Sequence, residues 1–276
     1  MSTTQKAIKI LMIVSTYNYY IPLIILFFYK NKHKMNFIRL NKYICNAGIC
    51  SRRKADKLIL AGYIKVNSKI IQELGYKVKE EDIIEYNNRR IEIIKKHIYI
   101  VLNKPSNCLC TSHDPEGRRT VMDLLPKRIR QKHPFTVGRL DRNTTGIILI
   151  TTDGEIAKIL MHPSSNITKK YRILLNKDLS TSDIVKIKKG ICLEDGYFKV
   201  DKIKIDKGNK REVFVEIHSG RNRILRRLFE ALNYKIIELD RYNYAGITKN
   251  GLKQGEYIFI EDIKSYLPAK KIKNKN

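Results

Sequence analysis

The chain has 276 residues, 43% of them hydrophobic, enough for one or two domains with substantial cores. Its 55 lysines and arginines stand against 27 aspartates and glutamates, and a net charge of +28 calls for a polyanionic partner, either nucleic acid or an anionic membrane surface. The five cysteines (Cys45, Cys50, Cys108, Cys110 and Cys192) form no C-x-x-C pair, the six histidines no H-E-x-x-H and the glycines no G-x-G, which disfavours a disulfide framework, structural zinc, a zincin site and a Gly-rich nucleotide loop. A reducing compartment fits this cysteine usage. The many Lys, Asn, Ile and Tyr residues are also what an AT-rich coding sequence produces, so charge alone does not choose between the two partners.

Residues 1–34 differ from the rest. Ala7 to Val14 and Ile21 to Tyr29 are apolar, but Ser15 to Asn18 and then Pro22 interrupt them, short of the roughly 20 residues a membrane span needs. A leader, a weak anchor, and an extension read from a start upstream of Met35 all remain open. From Arg39 the chain becomes regular. Leu40, Ile44 and Ala47 fall at helical spacing, Gly48 stops that helix, and Ser51 is placed to cap a second helix from Arg52 to Ala61. Gly62 ends it, and Ile64, Val66, Ile70 and Val78 supply short strands around Asn67-Ser68 and Gly75. Arg52, Arg53 and Lys54 crowd the first turn of the second helix, where the helix dipole disfavours cations; a docked phosphate would reverse that penalty, and a solvated basic face is the alternative. Arg89 to Lys96 reads as a basic connector.

Ile98 to Leu102 is the next strand, closed by Asn103-Lys104-Pro105. A polar loop, Ser112 to Thr120, contains Asp114-Pro115-Glu116-Gly117-Arg118. Then comes Val137-Gly138-Arg139-Leu140-Asp141-Arg142-Asn143-Thr144-Thr145-Gly146, leading into Ile147 to Ile150, a buried-strand pattern. Asp141 lies between two arginines in a Gly-bounded loop, which favours its ionised form and lets a partner approach the backbone closely. Such a carboxylate is suited to act as a nucleophile or to withdraw a proton, and it is equally compatible with a hairpin carrying a surface salt bridge. Ile156, Ile159 and Leu160 give one helical face, broken by His162-Pro163, and Lys169 to Leu175 is a strand carrying Tyr171. Ser180 or Thr181 caps a helix through Lys188, and Cys192 to Ile205 reads as a hairpin around Asp195-Gly196. Glu212 to His218 alternates as a half-buried strand, delivering Ser219 to Phe229, where arginines bracket Ile224, Leu225, Leu228 and Phe229 at the start of an amphipathic helix. The end, residues 263–276, is a basic tail, most strongly so from Lys270 onward.

Two resemblances organise these motifs. Arg39 to Ile44, the Ser51-Arg52-Arg53 turn and Gly62 to Asn67 together resemble an S4 RNA-binding domain, over residues 36–93. The Asp141 loop, the Lys-x-Tyr at 169–171 and Gly220-Arg221-Asn222-Arg223 through Arg226-Arg227 resemble, in that order, the motifs of the RsuA/RluB family of RNA pseudouridine synthases, over residues 98–262. Asn103-Lys104-Pro105 and Asp114 to Arg118 are similar to the RluB branch, which modifies large-subunit ribosomal RNA. One departure is Ile224, where many relatives carry Gln.

The resemblance implies an α+β fold: a small S4 domain, then a catalytic domain with a mixed, mainly antiparallel sheet and flanking helices. It implies isomerisation of uridine to pseudouridine with Asp141 as the catalytic residue, Tyr171 packed on the target base and available to move a proton, and Arg226 paired with Asp141, with Arg223 as the alternative partner. Leu239 would close the pocket, and Arg139 would fill the space the base leaves or hold its flanking phosphate. Arg52, Arg53 and Lys54 would dock RNA. No cofactor or metal is expected. The expected partner is ribosomal RNA or a ribosomal subunit precursor, with no stable membrane partner, for a monomer in a bacterial-type cytoplasm, or in an organelle if residues 1–34 are a leader. A small-subunit synthase and a non-catalytic S4-type assembly factor are the alternatives.

Overall fold

The computed structural model describes residues 37–249 and 251–268. These form two compact units, one of residues 37–43 and 53–91 and the other of residues 44–52 and 92–268. The expectations for residues 1–34 lie outside the described residues, as do those for the tail beyond residue 268.

The first unit contains strands β1 (Ile38–Arg39), β2 (Ile64–Val66), β3 (Lys69–Ile70), β4 (Lys77–Val78), β5 (Ile84–Tyr86) and β6 (Arg89–Arg90). Helix α1 (Leu40–Asn46) begins in it, and most of α2 (Arg52–Leu60) belongs to it. Strand β1 pairs with β4, and the order β3-β2-β5-β6 makes a second, antiparallel sheet. Its two hairpins turn through residues with positive φ at both central positions, Asn67-Ser68 (50° and 68°) and Asn87-Asn88 (50° and 61°). Asparagine tolerates that left-handed region, and the resulting twist matches paired strands. The second hairpin corrects the basic-connector expectation, because Arg89 and Arg90 pair with Tyr86 and Glu85.

The second unit is built on a nine-stranded sheet. It contains β7 (Tyr99–Lys104), α3 (Lys127–Arg130), β8 (Phe135–Val137), β9 (Thr145–Thr151), α4 (Gly154–Met161), β10 (Lys169–Leu175) and α5 (Thr181–Lys189). Next come β11 (Ile191–Leu193), β12 (Gly196–Phe198), β13 (Lys202–Ile205), β14 (Glu212–Ile217), α6 (Ile224–Glu230), β15 (Ile236–Tyr244), β16 (Ile247–Thr248) and β17 (Tyr257–Phe259). The main order is β13-β14-β10-β15-β9-β7-β17, with β16 on β15 and β8 on β9. Every pairing is antiparallel except β15 with β9, so the sheet is mixed and mainly antiparallel, as the α+β expectation required.

Strand β9 explains the continuous apolar run. Ile148 and Ile150 enter one hydrophobic core with residues of α3, α5 and α6, whereas Ile147 and Leu149 enter the other with Ala157 and Leu160 of α4. A strand covered on both faces must be apolar at every position. Strand β14 alternates, burying Val213, Val215 and Ile217. Two expectations are corrected here, and one strand is added. Lys202 to Ile205 leaves the β11–β12 hairpin and pairs with β14 instead. Leu239 lies within a nine-residue strand that no periodicity marks. The tail does not start at residue 263, since Ile263 is buried in the second core and Lys264–Tyr266 form a 3-10 turn.

Candidate active site

Strands β8 and β9 are antiparallel neighbours, and the wide loop between them, residues 138–144, carries Asp141. Its backbone is held from several sides. Leu140 N donates to Cys110 Sγ at 3.4 Å, Thr144 N donates to Asp141 O at 3.0 Å, and Cys108 N donates to Arg142 O at 3.2 Å. Lys104, fully buried at the end of β7, directs its Nζ to Arg142 O (3.0 Å), Cys108 O (2.8 Å) and Pro105 O (2.8 Å). Burial lowers the Lys104 amine below its ordinary pKa, an effect that the nearby Cys110 and Cys108 thiols and the Asp141 carboxylate partly offset. Burial of a charge is tolerated when hydrogen-bond acceptors surround it, which the three carbonyls provide.

Gly146 is needed for a different reason from the one expected. Its φ is 106°, and a Cβ there would meet the Arg241 carbonyl oxygen at 2.2 Å. The close approach is therefore between β9 and β15, where Gly146 stands opposite Arg241 in parallel register, rather than between the loop and a ligand. Thr145 Oγ1 donates to Asp240 Oδ1 at 2.7 Å, and Lys249 Nζ pairs with Asp240 Oδ2 at 2.7 Å, fixing the same junction.

The Asp141 carboxylate is held by charge alone. Arg223 Nη1 and Arg226 Nε both stand 3.6 Å from its Oδ2, and among the described residues its side chain accepts no hydrogen bond. The two arginines differ in exposure, 15% for the Arg226 side chain against 49% for that of Arg223. Arg223 caps α6 in a left-handed conformation, φ 45° and ψ 30°, and four apolar residues of the helix, Ile224, Leu225, Leu228 and Phe229, anchor it in the core. The arginine-bracketed pattern thus becomes a buried helix face, with Arg221, Arg223 and Arg226 at the cavity and Arg227 paired with Asp195 instead. Ile224 at the departing position is itself buried, so an apolar contact takes the place where a polar one was in question.

Tyr171, 8% exposed, comes from β10, and Leu239, 6% exposed, from β15. Asp141, Tyr171, Arg226, Arg139, Arg223 and Leu239 all line one open cavity of about 930 Å³. Its carboxylates are Asp141 and Asp114, and they are outnumbered by lysines and arginines. Asp114 is committed elsewhere: Arg118 Nε and Nη2 grip it at 3.1 and 2.8 Å, holding its pKa at about 2. Arg52, Arg53 and Lys54 form the exposed first turn of α2 and are not among the cavity's lining residues.

Several lining or supporting residues escaped the sequence reading. Lys104 had a visible signal, a lysine closing an apolar strand before proline. Lys169 is legible only as part of Lys-x-Tyr; its Nζ donates to Ile167 O and His218 O, both at 2.9 Å, and burial and then the Arg241 charge push its pKa down to about 8. His218 Nδ1 lies 2.8 Å from Asp201 Oδ1. No periodicity announces that pair.

A family model for RNA pseudouridylate synthases matches residues 98–231, and one for the S4 domain matches residues 38–84. The chain belongs to the RNA pseudouridylate synthase family, with an S4 domain ahead of the catalytic one. Among its relatives, the ribosomal large subunit pseudouridine synthase B of Bacillus subtilis strain 168 is 39% identical over 226 residues, 79% of this chain and 90% of that protein. A protein of the same name from Vibrio cholerae serotype O1 is 37% identical over 216 residues, 76% of this chain and 67% of that one. A solved structure described as a pseudouridylate synthase superposes with a TM-score of 0.59 at 26% identity, covering 83% of this chain and 98% of its own.

Proposed function

We propose that the chain isomerises a specific uridine of large-subunit ribosomal RNA to pseudouridine, with Asp141 as nucleophile. The observation that carries this reading is the convergence of Asp141, Tyr171 and Arg226, from segments far apart in sequence, on one cation-lined cavity. The names borne by the relatives from Bacillus subtilis and Vibrio cholerae support the large subunit as substrate. Substrate and product contain the same atoms, so the reaction has no net call for an oxidant, a reductant or a group donor. The site must instead hold a flipped base, break its N-glycosidic bond, turn the base and join C5 to the ribose.

Extruding the uridine costs a few kcal/mol of stacking, which Tyr171 and Leu239 offset as the two walls of the base pocket. Arg226 supplies the counter-charge that Asp141 needs as RNA excludes water, because a buried carboxylate left unpaired is costly. Arg139, exposed at the loop, holds the flanking phosphate or fills the vacated stack. Arg52, Arg53 and Lys54 place amide donors and cations together at the start of α2, suited to an RNA phosphate. The protein works as a monomer, in a bacterial-type cytoplasm. The test is carbodiimide-dependent primer extension on both ribosomal RNAs, or on partly assembled subunits, treated with the protein or with Asp141→Asn. One new stop on the large-subunit RNA is expected, absent with Asp141→Asn although RNA binding persists. A stop on the small-subunit RNA would overturn the choice of substrate, and binding without any stop would favour an assembly factor.

A further inference from the structure

Arg241 is a cation that the Asp141 ion pairs do not involve. It follows Leu239 by two residues on β15, both residues line the cavity, and across the sheet its register partner is Tyr171. It is only 2% exposed. Its Nε and Nη2 donate to a single acceptor, Ile147 O, at 2.9 and 2.7 Å, and its guanidinium carbon stands 4.7 Å from the centre of the Tyr244 ring. Among the described residues no carboxylate pairs with it. Asp240 is taken by Lys249 and Thr145, and Asp141 by Arg223 and Arg226.

A neighbouring charge is unfavourable. Lys169 is a half-buried amine whose pKa is held down first by desolvation and then by Arg241, offset in part by Asp201. A desolvated guanidinium with no counter-charge, beside a second buried amine, is costly. Guanidinium has five N–H donors, and one carbonyl oxygen and one ring face do not use them all. The arrangement is suited to a ligand that brings negative charge into the cavity.

The reaction proposed above generates such a ligand. When C1′–N1 breaks, its electron pair stays on N1, and the charge spreads to O2 and O4 of the base. C1′ is taken by the Asp141 carboxylate, or the ribose loses a proton to it. C5 then bonds to C1′ as the C1′–carboxylate bond breaks and Asp141 is restored, or, on the elimination route, as the ribose takes its proton back from Asp141; the C5 proton is lost and N1 gains one, so atoms and charge balance without another reactant. If Asp141 adds to the base instead, electron density again moves onto the base's conjugated carbonyl.

We propose that Arg241 is a further catalytic residue, whose guanidinium hydrogen-bonds the carbonyl oxygens of the base and holds the negative charge it carries between bond cleavage and rejoining. This rests on the pseudouridine synthase reading. A preorganised donor aimed at developing charge in a water-poor site is worth on the order of a hundredfold in rate.

The experiment uses the full chain, Arg241→Ala and Arg241→Lys, with single-turnover tritium release from C5-labelled uridine in large-subunit RNA, RNA affinity by filter binding, and thermal unfolding. Arg241→Ala should lose about a hundredfold in rate while keeping its RNA affinity. Millimolar guanidinium should restore part of the loss, and tetramethylammonium at equal ionic strength should not. Arg241→Lys should fall between the two. Should Arg241→Ala not fold, the wild type supplies the reading: 5-nitrouracil, largely an anion at neutral pH, should compete about tenfold more strongly than neutral uracil. A rate within about threefold of wild type overturns the role, as does a slow variant indifferent to guanidinium, or equal competition by the two bases. Either of the latter two would leave Arg241 as a clamp on Ile147 alone. If the wild type itself releases no tritium, the synthase reading fails and this role goes with it, an outcome separable from an active wild type matched by its Arg241→Ala variant.

Discussion

Replacing Arg226 by methionine should slow turnover far more than replacing Arg223, although both cations stand 3.6 Å from Asp141 Oδ2. The distinction comes from solvent. Two unit charges at 3.6 Å attract by about 5 kcal/mol at an effective dielectric near 20 and by about 1 kcal/mol in bulk water. With a side chain 15% exposed, Arg226 lies toward the first limit; at 49%, Arg223 lies toward the second. Asp141 itself is 36% exposed, so the upper figure is not reached. Working values are about 3 kcal/mol for Arg226 and about 1 kcal/mol for Arg223. At about 1.4 kcal/mol per decade these correspond to roughly a hundredfold and roughly fivefold in rate. Methionine keeps most of the volume, so the comparison isolates charge. The assay is single-turnover tritium release with saturating RNA, beside RNA affinity for each variant. Equal losses, or a larger loss for Arg223→Met, would refute the assignment of Arg226 as the principal partner and the solvent argument behind it.

Lys104→Met should destabilise the protein by about 3 kcal/mol in denaturant unfolding, because buried carbonyls of Pro105 and Cys108 lose their charged donor; unchanged stability would show that the buried amine is dispensable. Gly146→Ala should cost a similar amount, about 3 kcal/mol or more, since its Cβ would sit 2.2 Å from the Arg241 carbonyl oxygen and backbone must move to relieve it. For Lys169 the sign follows from burial: its folded pKa is about 8 against an ordinary 10.5, so between those values the unfolded chain binds more protons and unfolding free energy rises with pH. The penalty of burying the charged amine is fully present below pH 8 and is relieved as pH climbs. Subtracting a Lys169→Met unfolding series from the wild-type one should leave a positive slope across that window, and a flat difference would mean the amine is not desolvated.

The fold was legible where one physical requirement dominates a segment. Ile147 to Ile150 had to be a strand buried on both faces, and the alternation of Val213, Val215 and Ile217 had to expose its other face. What escaped depends on partners far away in sequence. Strand β15 mixes Leu239, Asp240, Arg241 and Asn243 with no clean period, because its polar residues answer to Thr145, Ile147 and Lys249 rather than to solvent. Lys202 to Ile205 has the look of a hairpin's return, yet Gly196–Phe198 already fills that place on β11, and Lys202–Ile205 pairs with β14. The site was legible as three motifs; the distances from Arg223 and Arg226 to Asp141 were not, because the left-handed turn at Arg223 sets them and arginine gives no sequence warning of it.

The Asp141 loop divides rigidity between backbone and side chain. Its main chain is fixed through Cys110 at Leu140, through Lys104 and Cys108 at Arg142, and through its own turn to Thr144. The carboxylate, by contrast, rests on two ion pairs at 3.6 Å. A hydrogen-bonded carboxylate would have to break directional contacts before moving, whereas one held by non-directional charge can shift within the cavity at little cost, which suits the nucleophilic role proposed for Asp141. A fixed backbone keeps that shift short and aimed. The same division accounts for Lys104, a lysine buried at some cost that ties the Arg142 carbonyl of the loop to the Pro105 and Cys108 carbonyls of the segment after β7, and on the proposed role of Asp141 it places the sensitivity of turnover in the loop's supports as much as in the carboxylate itself.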